Sequence, residues 1–150
     1  MMPIITRADV VTLARGWVGT PFHHQARLKG VGVDCVGLVI GVARELGMVE
    51  PGFDVAAYQR TPDGASLMHL AELHMVRLPL GAVLAPGQVV VVSFDADPQH
   101  LGIVGDYRHG GLSIIHAAAL ARPGRVIETR LMFSRAMRFV AAFDLPGVVA

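Results

Sequence analysis

Along this 150-residue chain the apolar positions change texture a little past half way. Up to Arg77 they recur at helical spacing. From Gln88 onward they gather into short β-branched runs separated by turn residues. The spacing predicts a first helix over Arg7 to Val18, with Val10, Leu13, Ala14 and Trp17 on one face. Thr6 stands as its cap, and Asp9 three residues on makes a capping-box arrangement with a short acid. Gly16, Gly19 and Pro21 end that helix and open a loop that runs to Val33. A second helix is predicted from Asp34 to near Leu46, with Gly47 just past its end. It is apolar nearly all round apart from Arg44 and Glu45, the pattern of a buried helix. Residues 48–62 read as loop. Asp63 to Arg77 reads as a third helix through Leu67, Leu70, Leu73 and Val76, and Pro79 and the Ala85-Pro86-Gly87 turn close the helical half.

The second half predicts strands over Val89–Phe94, His100–Gly105, Leu112–Ala117, Arg125–Thr129 and Ala136–Phe143, with Asp95-Ala96-Asp97-Pro98 as a turn. Helices first and strands after argue for an α+β fold, with N-terminal helices packed on an antiparallel sheet of about five strands. At this length a single domain, 1–150, is expected.

Composition narrows the function classes. A formal net charge of +1 gives no electrostatic reason to expect nucleic acid or an acidic membrane as partner. The arginines from Arg122 to Arg138 are spread among apolar residues and read as a solvated strand face. The longest apolar stretch, Leu78 to Gly87, is broken by Pro and Gly, so no membrane span of about 18–20 residues is expected. The first residues lack a basic stretch followed by an apolar one, so synthesis in the cytoplasm without a signal peptide is expected. At 53% hydrophobic and 17% charged the chain is apolar for a soluble monomer, which suggests surface covered by another subunit.

The lone cysteine rules out an intramolecular disulfide. Cys35 follows Asp34 where a Gly-rich loop meets the second helix. At that place a thiol faces unpaired backbone N–H groups and the positive end of the helix dipole, and both favour thiolate. His100 and His116 lie in consecutive strands. A hairpin register centred on residue 108 sets them opposite each other on one sheet face, and a slip of one residue separates them. His100 then serves as base to Cys35, with His116 orienting it. The bland readings are a buried hydrophobic cysteine and two structural histidines. Zinc on one Cys and two His is a rival without Cys-x-x-Cys or His-x-x-x-His spacing to support it, so no metal or cofactor is expected. His69 and His74, five apart, fall on different helix faces. His23 and His24 precede Cys35 and sit where a cleft rim is expected. Lys29-Gly30-Val31-Gly32 lacks the rest of a phosphate loop.

Five blocks, in order, resemble the NlpC-type cell-wall cysteine peptidases. They are Gly19-Thr20-Pro21-Phe22, Gly32-Val33-Asp34-Cys35-Val36-Gly37-Leu38-Val39, Pro86-Gly87-Gln88-Val89-Val90-Val91, His100-Leu101-Gly102-Ile103-Val104-Gly105 and Ile115-His116-Ala117. The loop Phe22-His23-His24-Gln25-Ala26 is similar to the phage-tail and gene-transfer-agent branch. The resemblance implies a papain-like fold and hydrolysis of amide bonds in the peptidoglycan stem peptide. It implies Cys35 as nucleophile, His100 as base, His116 as its orienting partner, and substrate contacts near Asp34, Phe22 and Val36. It also implies other tail or baseplate proteins as partners, with action at the cell wall from a virion or tail tip. Three positions depart from the family pattern: Phe22 stands where tyrosine is usual, Val36 where serine is common, and Gln88 where aspartate is frequent. Phe22 lacks the hydroxyl that would donate to an oxyanion. A structural tail-tip subunit with weak or no activity is the alternative reading.

Overall fold

A computed structural model of the chain describes residues 3–55, 64–94 and 99–150. Helix α1 runs Arg7–Arg15 behind Thr6, whose hydroxyl accepts the Asp9 N–H while the Asp9 carboxylate accepts the Thr6 N–H, a complete capping box. It stops three residues short of Val18, and Trp17 continues its buried face in the following turn. Strands β1 (Arg27–Leu28) and β2 (Gly32–Val33) form a small hairpin that the hydrophobic pattern does not announce. Helix α2 spans Cys35–Glu45 with Asp34 as N-cap, and Gly47 beyond it takes φ +69°, the left-handed conformation that glycine tolerates.

Helix α3 is Gly64–His74, and Asp63, its expected start, lies outside the described residues. So do the end of the predicted loop at 56–62 and the Asp95–Pro98 turn. The tail of the predicted third helix is not helical. Val76–Arg77 forms β3, which pairs with Asp144 and Phe143. Long-range pairing overrides local periodicity there. Strands β4 (Val89–Phe94), β5 (Gln99–Asp106), β6 (Leu112–Ala118), β7 (Arg125–Arg130) and β8 (Met137–Asp144) complete one antiparallel sheet of six, ordered β3-β8-β4-β5-β6-β7.

Alternation along the strands divides the interior in two. Val89, Val91, Leu101, Ile103, Ile115 and Ala117 face the helices and join the main core with α1 and α2. Val90, Val92, Val104 and Ile114 face the other way and form a second cluster with Phe94, Leu112, Leu131 and Met137 at its border. The described residues contain no helix long and apolar enough to cross a membrane. The apolar composition is partly spent on surface: Leu80, Val83 and Leu120 are almost fully exposed.

The seat of α2 depends on a close approach. Trp17 lies so near Gly41 that a Cβ there would come 2.2 Å from the indole ring. The same indole N–H donates to Glu45 on the last turn of α2. Gly41→Ala is expected to lower unfolding stability by about 1–3 kcal/mol, the usual cost of overpacking a core. Urea titration followed by the fluorescence of Trp17, the single tryptophan, measures it, and an unchanged midpoint would contradict this packing.

Candidate active site

The site begins with a buried carboxylate. Asp34 is extended, at φ −109° and ψ −174°, and its Oδ1 accepts the Gly37 N–H at 2.7 Å, capping α2. The same oxygen accepts from Arg27 Nη1 at 2.9 Å, and Oδ2 accepts the Gln25 N–H at 2.7 Å. His24 Nδ1 lies 3.8 Å from Oδ2. Arg27 in turn donates to Asp54 at 3.0 Å. Gln25 holds φ +59°, unusual for a residue other than glycine, so the turn before Cys35 is set by Asp34 and not by its own preference. These contacts lock the loop to the helix and determine where the next residue, Cys35, begins the first turn.

The Cys35 side chain is buried at the N-terminus of α2. The helix start favours thiolate there, and burial works against it. Burial pushes the thiol up to about 11. Backbone hydrogen bonds from Leu101, Val36 and Cys35 itself pull the other way, as the helix position requires, while the Asp34 charge adds to the upward push. Desolvation of the anion wins.

The Leu101 amide reaches the sulfur because of how the sheet opens. Val104 donates its N–H to Gln88 O at 2.8 Å and accepts from Gly87 N–H at 2.7 Å. Its backbone therefore faces β4, and by alternation that of Leu101 faces β6. The β5–β6 ladder runs only from Ile103↔Ile115 to Asp106↔Leu112. Among the described residues, Leu101 thus has no strand partner on that side, and its amide is left for the thiol.

By strand alternation His100 and His116 lie on the sheet face opposite Leu101 and Ile103, whereas Cys35 packs with those two in the main core. The rings and the sulfur thus approach β5 from different faces, and the sulfur meets the strand at the Leu101 amide. His100 sits opposite Val92 of β4, and His116 opposite Ile127 of β7. His100 Nε2 and His116 Nδ1 are 2.8 Å apart, with ring centroids at 5.0 Å and planes at 73°. The hairpin register is centred on residue 109, not 108, so the two do not face each other squarely. The slip moves each partner by two residues, which preserves the face, and the rings meet diagonally. Burial pushes His100 down to about 3, helped by the neighbouring His116, and burial alone pushes His116 down to about 4. Both rings are therefore neutral near pH 7, and one donates an N–H to the other's lone pair. Among the described residues, no hydrogen bond joins the Cys35 sulfur to either ring.

The flanking residues fall around this centre. Phe22, half-buried, donates its N–H to Gly124 O at 2.9 Å and bridges Val33, two residues before Cys35. Val36 is buried and helps line an apolar cavity of about 180 Å³ with Leu101, Phe53, Leu67 and Met75. Gln88 serves a turn, accepting the Ala85 N–H at 2.8 Å and donating to Asp144 at 3.2 Å. His23 is exposed, and His74 and His109 make edge-to-face contacts with Phe53 and Tyr107. Among the described residues no group of three or more His, Cys, Asp or Glu side chains gathers at metal-binding distance.

Sequence reasoning missed three contributors. Arg27 is the ion-pair partner of Asp34, visible in sequence only as a basic residue in the same loop. The Leu101 amide depends on where a ladder stops. Phe94 lies 5.6 Å from His100, ring to ring, and an aromatic residue at the end of the strand before the histidine was the only signal.

No protein-family model matches the chain, and no curated protein matches it. Among solved structures it is similar to the NlpC/p60 domain of the peptidoglycan hydrolase SagA, at a TM-score of 0.61 and 18% identity, over 94% of this chain and 100% of that one. At that identity the likeness establishes the fold, which is the α+β, papain-like fold of NlpC/p60 domains.

A thiol held near 11 has a pH signature. Roughly one molecule in 10⁴ carries thiolate at pH 7, and the fraction rises about tenfold per pH unit until the thiol titrates. Alkylation of Cys35 by iodoacetamide in the free protein is expected to accelerate in step from pH 6.5 to 9.5. A rate already at plateau by pH 8 would indicate a thiolate–imidazolium pair and contradict this state.

Proposed function

We propose that the chain is a cysteine peptidase that hydrolyses amide bonds in the peptidoglycan stem peptide. The observation that carries the proposal is the hydrogen-bonded pair His100–His116, set beside the strand position whose amide meets the Cys35 thiol. The NlpC/p60 fold supports the substrate class.

Chemistry follows from which nitrogens are engaged. His100 Nε2 is bonded to His116, which leaves Nδ1 to accept a proton. For that, His100 carries its hydrogen on Nε2 and donates it to His116 Nδ1. The resting thiol and imidazole are both neutral, so proton transfer from sulfur accompanies attack and does not precede it. As the sulfur bonds to the substrate carbonyl carbon, Nδ1 takes the thiol proton through one water at the open end of the β5–β6 ladder. The Cys35 backbone N–H, at the start of α2, serves as donor to the developing oxyanion. The imidazolium then protonates the departing amine and the C–N bond breaks. Water, deprotonated by the same nitrogen, hydrolyses the thioester and regenerates the thiol. Phe22 adds no donor, so this centre relies on backbone amides. Asp34 acts in it by fixing the helix start, with Phe22 and Val36 bordering the acyl group.

The finer placement belongs to the same proposal: a tail-tip component of a phage or gene transfer agent, made in the cytoplasm and acting at the cell wall beside other tail or baseplate proteins. The exposed Leu80 and Val83 support contact with such neighbours. A structural subunit with weak or no turnover is the second reading, favoured by the high-lying thiol and the missing Phe22 hydroxyl.

Purified peptidoglycan separates the two. Wild type is expected to release stem-peptide fragments detectable by mass spectrometry, with Cys35→Ala slower by on the order of 10³ or more. Equal release by both proteins would remove the peptidase reading.

A further inference from the structure

Phe94 ends β4, two residues beyond Val92, and Val92 is the cross-strand partner of His100. Residue 94 therefore shares the sheet face of His100 and stands diagonal to it. Its ring centroid is 5.6 Å from that of His100, with the planes tilted by 41°. Phe94 is itself half-buried and anchored against the second apolar cluster. His116 meets the same imidazole at 73° and supplies its one hydrogen-bond partner among the described residues. His100 is thus held from two sides, by an apolar ring and by a polar one. The torsion about Cβ–Cγ is broad, so a single hydrogen bond fixes the plane of the imidazole only loosely. Turning by half a revolution would put Cε1 where Nε2 now meets His116 and break that bond.

We propose that Phe94 is a positioning residue for His100: its ring forms the wall that keeps Nε2 on His116 and leaves Nδ1 for the thiol proton. The proposal rests on the Cys35–His100 reading for its catalytic meaning, and on the ring contacts alone for its geometry. Phe94 touches no reacting atom. It acts by excluding water from one side of the imidazole and by crowding the intermediate orientations through which the ring would turn. Among the described residues, the titratable group that acts on His100 is His116, across the 2.8 Å bond; β4 carries Val90, Val92 and Phe94 on that side, and none of these titrates.

Nitrogen-15 NMR of the imidazoles, from pH 3 to 9 on the full chain, tests this without requiring turnover. In wild type, His100 is expected to show a single tautomer, protonated on Nε2, across pH 5–9. In Phe94→Ala, admitted water is expected to raise the His100 midpoint by about one pH unit and to produce a mixture of tautomers. The acid limb of kcat/KM for stem-peptide cleavage is expected to move up by the same amount, and Phe94→Trp to restore both. Should Phe94→Ala not fold, Phe94→Leu keeps apolar volume without the flat ring and is expected to show the tautomer mixture. An unchanged tautomer and midpoint in a folded Ala or Leu variant would overturn the proposal, as would a Trp variant indistinguishable from Ala. Failure of the peptidase reading looks different: wild type cleaves nothing, while the His100 signals still respond to Phe94.

Discussion

The buried carboxylate of Asp34 is the contact on which the centre depends. Its two oxygens receive the first turn of α2, the Arg27 guanidinium and the strained turn at Gln25. An uncompensated carboxylate at that depth would be costly, and each of these donors is short, so the loop and the helix cannot shift independently. Cys35 has no freedom of its own to find the strands. It arrives where Asp34 puts it, at a helix start pressed toward the part of β5 that β6 has left.

That splay is the second constraint. A fully paired hairpin would consume the Leu101 amide in the ladder and leave the thiol against an inert sheet. By ending at Ile103↔Ile115, the β5–β6 pairing releases one donor toward the sulfur and lets the two histidines lean together. The centre is correspondingly dry. Burial raises the thiol and lowers both imidazoles, so the resting state is uncharged at sulfur and at both rings. A neutral pair is consistent with a protein whose chemistry starts only when substrate brings a carbonyl to accept charge.

Much of this was legible before any coordinates. The Thr6–Asp9 capping box, the Asp34 cap and Gly47 mark helix ends by local chemistry, and local chemistry is what sequence expresses directly. The β-branched runs marked the five long strands. The shared face of His100 and His116 followed from parity, which survived a mistaken register because the error was even. That error arose at the turn, where Gly110 and Gly111 both take positive φ and displace the reversal by one residue. What stayed hidden depends on distant partners: β3 exists only because β8 lies beside it, and the protonation of Cys35 is a contest between amide donors and burial that spacing cannot score.

The central claim is that Cys35 attacks and His100 takes its proton. Rapid-quench intact-protein mass spectrometry with a synthetic stem peptide addresses it most directly. The account predicts a transient adduct of the acyl fragment, labile to hydroxylamine, mapped to the Cys35 peptide and absent from His100→Ala. No adduct under turnover, or one that forms equally without the His100 imidazole, would contradict it.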